Sequence, residues 1–418
     1  MWASSLAATG CSLLHLWEDA RSFEGEALVV GHVDPSDGEP SVVVAACAAG
    51  GSKVRLVRAA QVQEDGSYRL ALPPGVYRLY AFFETESVPR GAEPVSLSGG
   101  EVKLASEIAL AQATVAPDGF DHRCVPASYV KVGFDDRRVD AIASLDDPRF
   151  SPDRGRDGYW ESNRYFLEFG ARIYLTEPYD PDRIPVLFVH GATGSPQDWR
   201  YFIEHLDRSR YQAWFFSYPS GQHLATVAAL LSWELEALQR RHRFPTVYVV
   251  AHSMGGLVVR DALLEHGSQL PVSLFVSLST PWGGDDAADL ANHAPAVVPS
   301  WIDMQPRGPF LRSLLTRPLP QGVDYYLLFS YRGAPGLLRP NNDGTVSLAS
   351  QLQSVVQAEA RRVYGFDDDH GGILSSPQAF AQFAEILRIG HSRNGASVMS
   401  TPAPQSASAA DVTPKSLR

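Results

Sequence analysis

The chain has 418 residues, three cysteines and a formal net charge of −11. That length predicts two domains, and the composition is apolar enough to bury a large core. The acidic balance, with no dense Lys/Arg cluster, argues against a nucleic-acid partner, because phosphate binding needs a basic face. No apolar run reaches transmembrane length.

Near the start, Leu6-Ala-Ala-Thr-Gly-Cys11 places small residues directly before a cysteine. It resembles the end of a bacterial lipoprotein signal. The resemblance implies lipidation at Cys11, loss of the preceding residues, and anchoring of the protein at the membrane surface of the bacterial cell envelope. No basic residue precedes the apolar stretch, although an export signal carries one, so a cytoplasmic protein with a frayed N-terminus stays open. Residues 1–22 are assigned to this signal-like segment and a linker, outside the fold.

Residues 23–110 alternate apolar and polar positions between Asp/Gly/Pro/Ser turns, the pattern of an all-β unit. The clearest piece is Asp65-Gly-Ser-Tyr-Arg-Leu-Ala-Leu-Pro-Pro-Gly-Val-Tyr-Arg-Leu-Tyr80, a strand, a Pro-Pro-Gly turn and a second strand. Tyr68, Leu70 and Leu72 share one face of it. The segment resembles the carboxypeptidase-regulatory-like, transthyretin-like β-sandwich, an accessory domain of exported proteins. It holds no catalytic cluster and reads as a spacer. Cys47 lies in an apolar strand and reads as buried; neither it nor Cys124 has a CxxC partner, so no zinc or disulfide scaffold is supported.

Residues 111–158, rich in Asp, Arg, Pro and Gly, read as a linker. From there to residue 390 strands alternate with helices, which implies a parallel sheet with crossover helices, of the eight-stranded type. Strands are expected at 184–190, 211–218, 246–250, 272–278, 325–331 and 362–365. Leu224, Val227, Ala228, Leu231, Leu235 and Leu238 recur at helical spacing and mark a core-packing face. Residues 391–418 are rich in Ser, Ala and Pro and read as a disordered tail.

Within the 159–390 segment, Val186-Leu-Phe-Val-His-Gly191 is a buried strand ending in a tight turn. The next backbone N–H, that of Ala192, can aim at a developing oxyanion. His190 reads as an orienting residue rather than a base. Val247-Tyr-Val-Val-Ala-His-Ser-Met-Gly-Gly256 is a strand meeting a small-x-Ser-x-Gly turn, the form of a nucleophile elbow. Ala251 and Gly255 leave room for the turn, and Gly256 lets the following helix approach the sheet. Ser253 is then the nucleophile, and the Met254 N–H the second oxyanion donor.

Ser279-Thr-Pro-Trp-Gly-Gly284 opens a long insertion to about residue 322, placed where a lid could cover Ser253; a surface helical excursion is the alternative. Asn341-Asn-Asp-Gly-Thr-Val346 puts Asp343 on a tight turn after a late strand, suited to hold an imidazole from behind. His370, in Asp367-Asp-Asp-His-Gly-Gly372, is the candidate general base and acid. Asp369 is the rival acid, but a neighbour in sequence rarely reaches the ring nitrogen in the required geometry.

Residues from about 159 to 389 resemble a bacterial lipase-like α/β-hydrolase related to the inositol-deacylase group. The matching pieces are the strand ending in His-Gly191, Ala251-His-Ser-Met-Gly-Gly256, Ser279-Thr-Pro-Trp-Gly-Gly284 and Asn342-Asp-Gly-Thr-Val346. The resemblance implies an α/β-hydrolase fold, a mostly parallel sheet flanked by helices, preceded by the small all-β sandwich. It implies hydrolysis of carboxylic esters, with lipid acyl esters favoured, through an acyl-enzyme on Ser253 with His370 and Asp343, and no metal or organic cofactor. Trp282 stands where relatives often carry histidine, which implies an altered pocket rim. A short-chain esterase, thioesterase or amidase would use the same machinery, and a non-catalytic hydrolase-like binding protein is the reading from another class.

Overall fold

A computed structural model describes residues 15–20, 25–33, 42–48, 55–63, 66–83, 91–99, 102–108, 139–267, 269–285, 288, 297–333 and 341–399. Cys11, Cys124 and residues 400–418 lie outside them.

The N-terminal region is β-rich: β1 (Ala27–His32), β2 (Val42–Ala48), β3 (Arg55–Gln61), β4 (Ser67–Leu72), β5 (Gly75–Phe83), β6 (Gly91–Leu97) and β7 (Val102–Leu104). They form two sheets, ordered β4-β1-β7 and β3-β2-β5-β6, antiparallel except where β7 joins β1. Side chains alternate across each strand. Val29, Tyr68, Leu70 and Leu72 of the first sheet share a core with Val44, Leu79 and Ala81 of the second. Cys47 is buried on β2, and burial pushes its thiol up to about 11. The Pro-Pro-Gly segment does not close a hairpin within one sheet, because β4 and β5 belong to different sheets. Pro73 and Pro74 lack the N–H that a ladder needs, so pairing ends there and the chain crosses over.

The opposite face of the first sheet is buried too. Leu28, Val30 and Ala71 join the core of the following half, His32 stacks on Trp233 at 4.8 Å, and Arg69 donates to the carbonyl of Phe166 at 3.3 Å. The β-rich region is thus seated on its neighbour along one face.

That neighbour is built on a seven-stranded sheet: β8 (Arg172–Leu175), β9 (Ile184–Val189), β10 (Tyr211–Ser217), β11 (Val247–His252), β12 (Val272–Leu278), β13 (Asp324–Ser330) and β14 (Arg362–Phe366). The order is β14-β13-β12-β11-β9-β10-β8. All neighbours run parallel except β10 and β8. Each expected strand is present to within two residues at either end. The sheet has seven strands among the described residues where eight were expected.

Central strands of a parallel sheet are covered on both faces, which is why β9 and β11 read as unbroken apolar runs. Leu187, Val189, Val249 and Ala251 face the helices Leu224–His242 and Gly255–His266. Val186, Phe188, Tyr248 and Val250 face Phe202 of the helix Arg200–His205 and Phe383 and Ile386 of Pro377–Met399. The whole stripe Leu224, Val227, Ala228, Leu231, Leu235 and Leu238 is buried.

Three segments assigned outside the domains are structured. Residues 15–20 are helical, with Leu16 in the α/β core. The Asp19 carboxylate there accepts the N–H groups of Asn163 and Arg164 at 3.2 and 3.0 Å, satisfying orphan donors of the helix Ser162–Phe169. The presumed linker ends early, since Pro152–Trp160 is a helix capped by the Ser151 side chain with proline in its first turn. The helix Pro377–Met399 runs nine residues past 390, because extending a helix is far easier than nucleating one and Ser/Ala sequence permits it.

Candidate active site

β11 delivers Ser253 to its C-terminal end, and the chain turns there into the helix Gly255–His266. Ser253 has φ of 54°, a left-handed conformation that costs a non-glycine residue on the order of 1–3 kcal/mol. The surroundings enforce it. A Cβ on Gly255 would lie 2.4 Å from the carbonyl oxygen of His190, and one on Gly256 would lie within the Thr280 side chain. A Cβ on Gly191 would meet the Ser253 Cβ at 2.8 Å. The Ser253 N–H donates to the carbonyl of Leu278 at 2.8 Å, tying the turn to β12.

His370 and Asp343 arrive on loops at the same end of the sheet. His370 Nε2 is 2.8 Å from Ser253 Oγ, and His370 Nδ1 is 2.7 Å from Asp343 Oδ2. All three side chains are buried. The Asp343 carboxylate is held on both oxygens. Oδ1 accepts the N–H groups of Thr345 and Val346, and Oδ2 also accepts from the Ser330 hydroxyl at 2.9 Å and Gln351 Nε2 at 3.1 Å. Burial pushes this carboxyl upward, but the His370 ring and those hydrogen bonds together hold it below the usual carboxylate range. Asp369 turns away, accepting the Gly372 N–H at 2.8 Å.

Ser330 and Gln351 are parts of this arrangement that sequence reasoning missed. A serine closing the apolar run of β13 is a readable signal of a buried polar partner. Gln351 gives none, because its position depends on the helix Leu348–Gln351 folding back over the turn.

Two further histidines are buried at the site. Burial lowers His190 to about 4. Its ring stacks on Tyr218 at 4.2 Å, and its carbonyl accepts the Tyr218 hydroxyl at 2.6 Å. A neutral ring fixed in this way fits an orienting residue. Burial, with the His370 ring beside it, lowers His252 to about 3. His252 Nε2 lies 2.8 Å from the His370 carbonyl oxygen, a contact that no sequence motif announced. Ala192 follows Gly191, which abuts Ser253, and Met254 follows Ser253 directly. Among the described residues neither N–H has an acceptor within the chain.

The group opens into a cleft of about 740 Å³. Its walls come from residues 191–204, 252–253, 343–345 and 369–375, with Tyr201 and Leu374 as the large apolar side chains and Asp198, Arg200, Glu204 and Asp369 as charged ones beside Asp343. No described residue of 281–322 lines it. That segment instead packs its helices Pro299–Asp303 and Pro309–Thr316 into the core through Met304, Leu311 and Leu314. Of the two readings of this segment, lid or helical excursion, its described part matches the excursion, because its apolar stripe finds a partner in the core. Trp282 is fully buried against Phe275 and Tyr325 and forms no part of the rim.

A family profile agrees with this architecture. The family profile described as alpha/beta hydrolase fold matches residues 184–316. A lipase of Bacillus licheniformis in mature form is similar at 21% identity, over 51% of this chain and 97% of that one, with a TM-score of 0.42. Aspergillus fumigatus lipase B is similar at 19% identity, over 51% and 55% of the two chains, with a TM-score of 0.40. A protein described as a putative aryl esterase of Burkholderia cenocepacia is similar at 17% identity, over 54% and 97%, with a TM-score of 0.35. No curated protein sequence matches. The chain has an α/β-hydrolase fold with a mostly parallel sheet flanked by helices, behind an N-terminal β-rich region.

Proposed function

We propose that this protein hydrolyses carboxylic esters through a covalent acyl-enzyme on Ser253. The observation that carries the reading is the continuous hydrogen-bonded chain from Ser253 Oγ through the His370 ring to Asp343. Nδ1–H donates to Asp343, which leaves Nε2 free to take the Ser253 proton as Oγ attacks the ester carbonyl. The N–H groups of Ala192 and Met254 receive the oxyanion. His370 returns the proton to the departing alkoxide, and a water activated by the same ring releases the acid. No step calls for a metal or organic cofactor. An intact relay of this kind speaks against a hydrolase-like protein retained only for binding.

We infer esters with short acyl chains, rather than the lipid acyl esters that the resemblance implies, as the substrates. A long chain needs a continuous apolar surface, worth about 0.8 kcal/mol per buried CH₂, and the described walls offer chiefly Tyr201 and Leu374. A fluorophosphonate should label wild type and not Ser253→Ala, and a p-nitrophenyl ester series should peak at short chains. Normal turnover by Ser253→Ala would reject the mechanism, and a rate rising steadily with chain length would reject the substrate preference.

We propose also that Cys11 carries lipid and holds the protein at the cell envelope. Three residues, four steps of the chain, separate it from residue 15, a reach of at most about 14 Å. Since residues 15–20 dock on the α/β half, the anchor would hold that half beside the bilayer, with the β-rich region no longer a spacer. Membrane fractionation of wild type against Cys11→Ser tests it.

A further inference from the structure

We infer that His252 is a positioning residue that sets the His370 ring by gripping its backbone. The inference rests on the ester-hydrolase reading above. His370 is on a loop between β14 and the short turn Gly372–Ser375, and a loop of this kind is where a general base most readily drifts. Three contacts fix it. The His370 N–H donates to the carbonyl of Asp343 at 2.8 Å, its Nδ1 meets the Asp343 carboxylate at 2.7 Å, and its own carbonyl oxygen is 2.8 Å from His252 Nε2. The first two both come from the turn that carries Asp343. Apart from the reacting contact of Nε2 with Ser253 Oγ itself, among the described contacts only the third ties His370 to the element that carries the nucleophile, because His252 is the last residue of β11.

A carbonyl accepts, so His252 Nε2 must hold the proton in that contact. The ring is buried, with its centroid 4.7 Å from that of His370 and 6.5 Å from that of Trp199. A Cβ on Gly191 would stand 3.4 Å from His252 Nδ1, so the glycine that meets Ser253 also meets this ring. A neutral Nε2–H tautomer is the form that suits the place. It supplies the donor without putting a second positive charge beside His370 when that ring takes the Ser253 proton. Alternation along β11 turns Tyr248 and Val250 to one face of the sheet, and His252, two residues on, continues that face into the site. Nucleophile and clamp are therefore adjacent in sequence, and the Ser253-to-His370 distance depends on one rigid strand end rather than on two independent loops. With Nε2 engaged on the His370 carbonyl, His252 is no carrier of the transferred proton.

The test compares His252→Phe, His252→Gln and His252→Asn in the full chain, with steady-state ester hydrolysis, fluorophosphonate labelling rate and thermal melting as readouts. Phenylalanine keeps the volume and removes the donor. Glutamine places an amide N–H close to where Nε2 stands, and asparagine falls short by one methylene. His252→Phe should lose about 10²-fold in kcat, the effect of misplacing a catalytic group by roughly 1 Å, with KM within twofold and labelling slowed in proportion. His252→Gln should recover most of the rate and His252→Asn little of it. Should His252→Phe not fold, the Gln-to-Asn ratio decides alone. Equal rates for Gln and Asn, a wild-type kcat in Phe, or a loss carried by KM would overturn the inference. A wild type that neither labels nor turns over any ester overturns the hydrolase reading instead, and this inference with it.

Discussion

The β-rich region and the α/β half are both layered from apolar strands, yet among the described residues reactive side chains gather in only one of them. In residues 27–104 most strand pairs are antiparallel, so successive turns fall at opposite ends of the strands and polar residues are dispersed. In the α/β half every central pair is parallel. Each crossover returns the chain to the same starting edge, so the loops after β9, β11, β13 and β14 collect at the other. Ala192, Ser253, Asp343 and His370 follow those four strands and meet for that reason, although the last three span 117 residues. The difference teaches that sheet direction, more than composition, decides where a site can assemble.

The sharpest way to break this comparison is at Asp343. If the convergent edge is a working site, Asp343→Asn should keep the fold and lower kcat by about 10⁴-fold, because the amide either cannot hold the Nδ1–H tautomer or leaves it unsupported. Steady-state kinetics with thermal melting separates the two effects. Asp343 also has a pH signature. Its folded carboxyl is held below the ordinary 3.8, so its contribution to stability is present above that value and fades as pH falls through the lowered one. The asparagine variant lacks that acid-side loss. Full activity in Asp343→Asn would leave the α/β edge with no more claim to chemistry than the β-rich region.

Legibility in the sequence followed the same division. The strands of the parallel sheet could be read because burial on both faces leaves unbroken apolar runs, and Ser253 because its turn tolerates only small neighbours. Asp343 and His370 were legible through their order after Ser253. What the sequence concealed was contact made by tertiary packing. The crossing of β4 and β5 between sheets, Gln351 over the carboxylate and His252 on the His370 carbonyl all depend on elements distant in the chain. Periodicity reports which face of an element is apolar and is silent about what that face will meet. The reading of residues 111–158 as linker failed similarly at its end, since the cap at Ser151 is local but the aromatic contacts of Phe150 with Tyr174 and Phe215 are not.

A second test asks whether the two regions are separable. Leu28 is on β1 but is buried in the core shared with the α/β half. Leu28→Ala should cost about 3 kcal/mol, the transfer and cavity terms of a buried leucine. Residues 25–108 contain no tryptophan, so tryptophan emission reports melting outside the β-rich region. The expected outcome is one cooperative transition, lowered in both tryptophan emission and far-ultraviolet circular dichroism. An unchanged emission midpoint would show two independent units and restore the β-rich region as an appended module.

The smallest effect sharpens the comparison inside the α/β half, between two buried carboxylates. Asp343 is ringed by donors and a histidine, and is lowered. Asp261, on the helix Gly255–His266, is also buried, but burial, aided by nearby Glu265 and opposed by Arg317, raises it to about 7. Burial alone therefore does not make a working acid; the partners decide the direction. The sign follows from linkage. With a folded value above the unfolded 3.8, the stability that goes with protonated Asp261 is complete below 3.8 and is lost progressively as pH rises to about 7. Asparagine keeps the shape and never ionises. Asp261→Asn should thus melt nearly like wild type at pH 4 and gain stability relative to it as pH rises to 8, with kcat unchanged. Thermal melts at pH 4, 6 and 8 measure the gain. A difference that stays flat with pH would mean that Asp261 is ionised in the fold at every pH tested, supported by charge as Asp343 is, and the contrast between the two carboxylates would collapse.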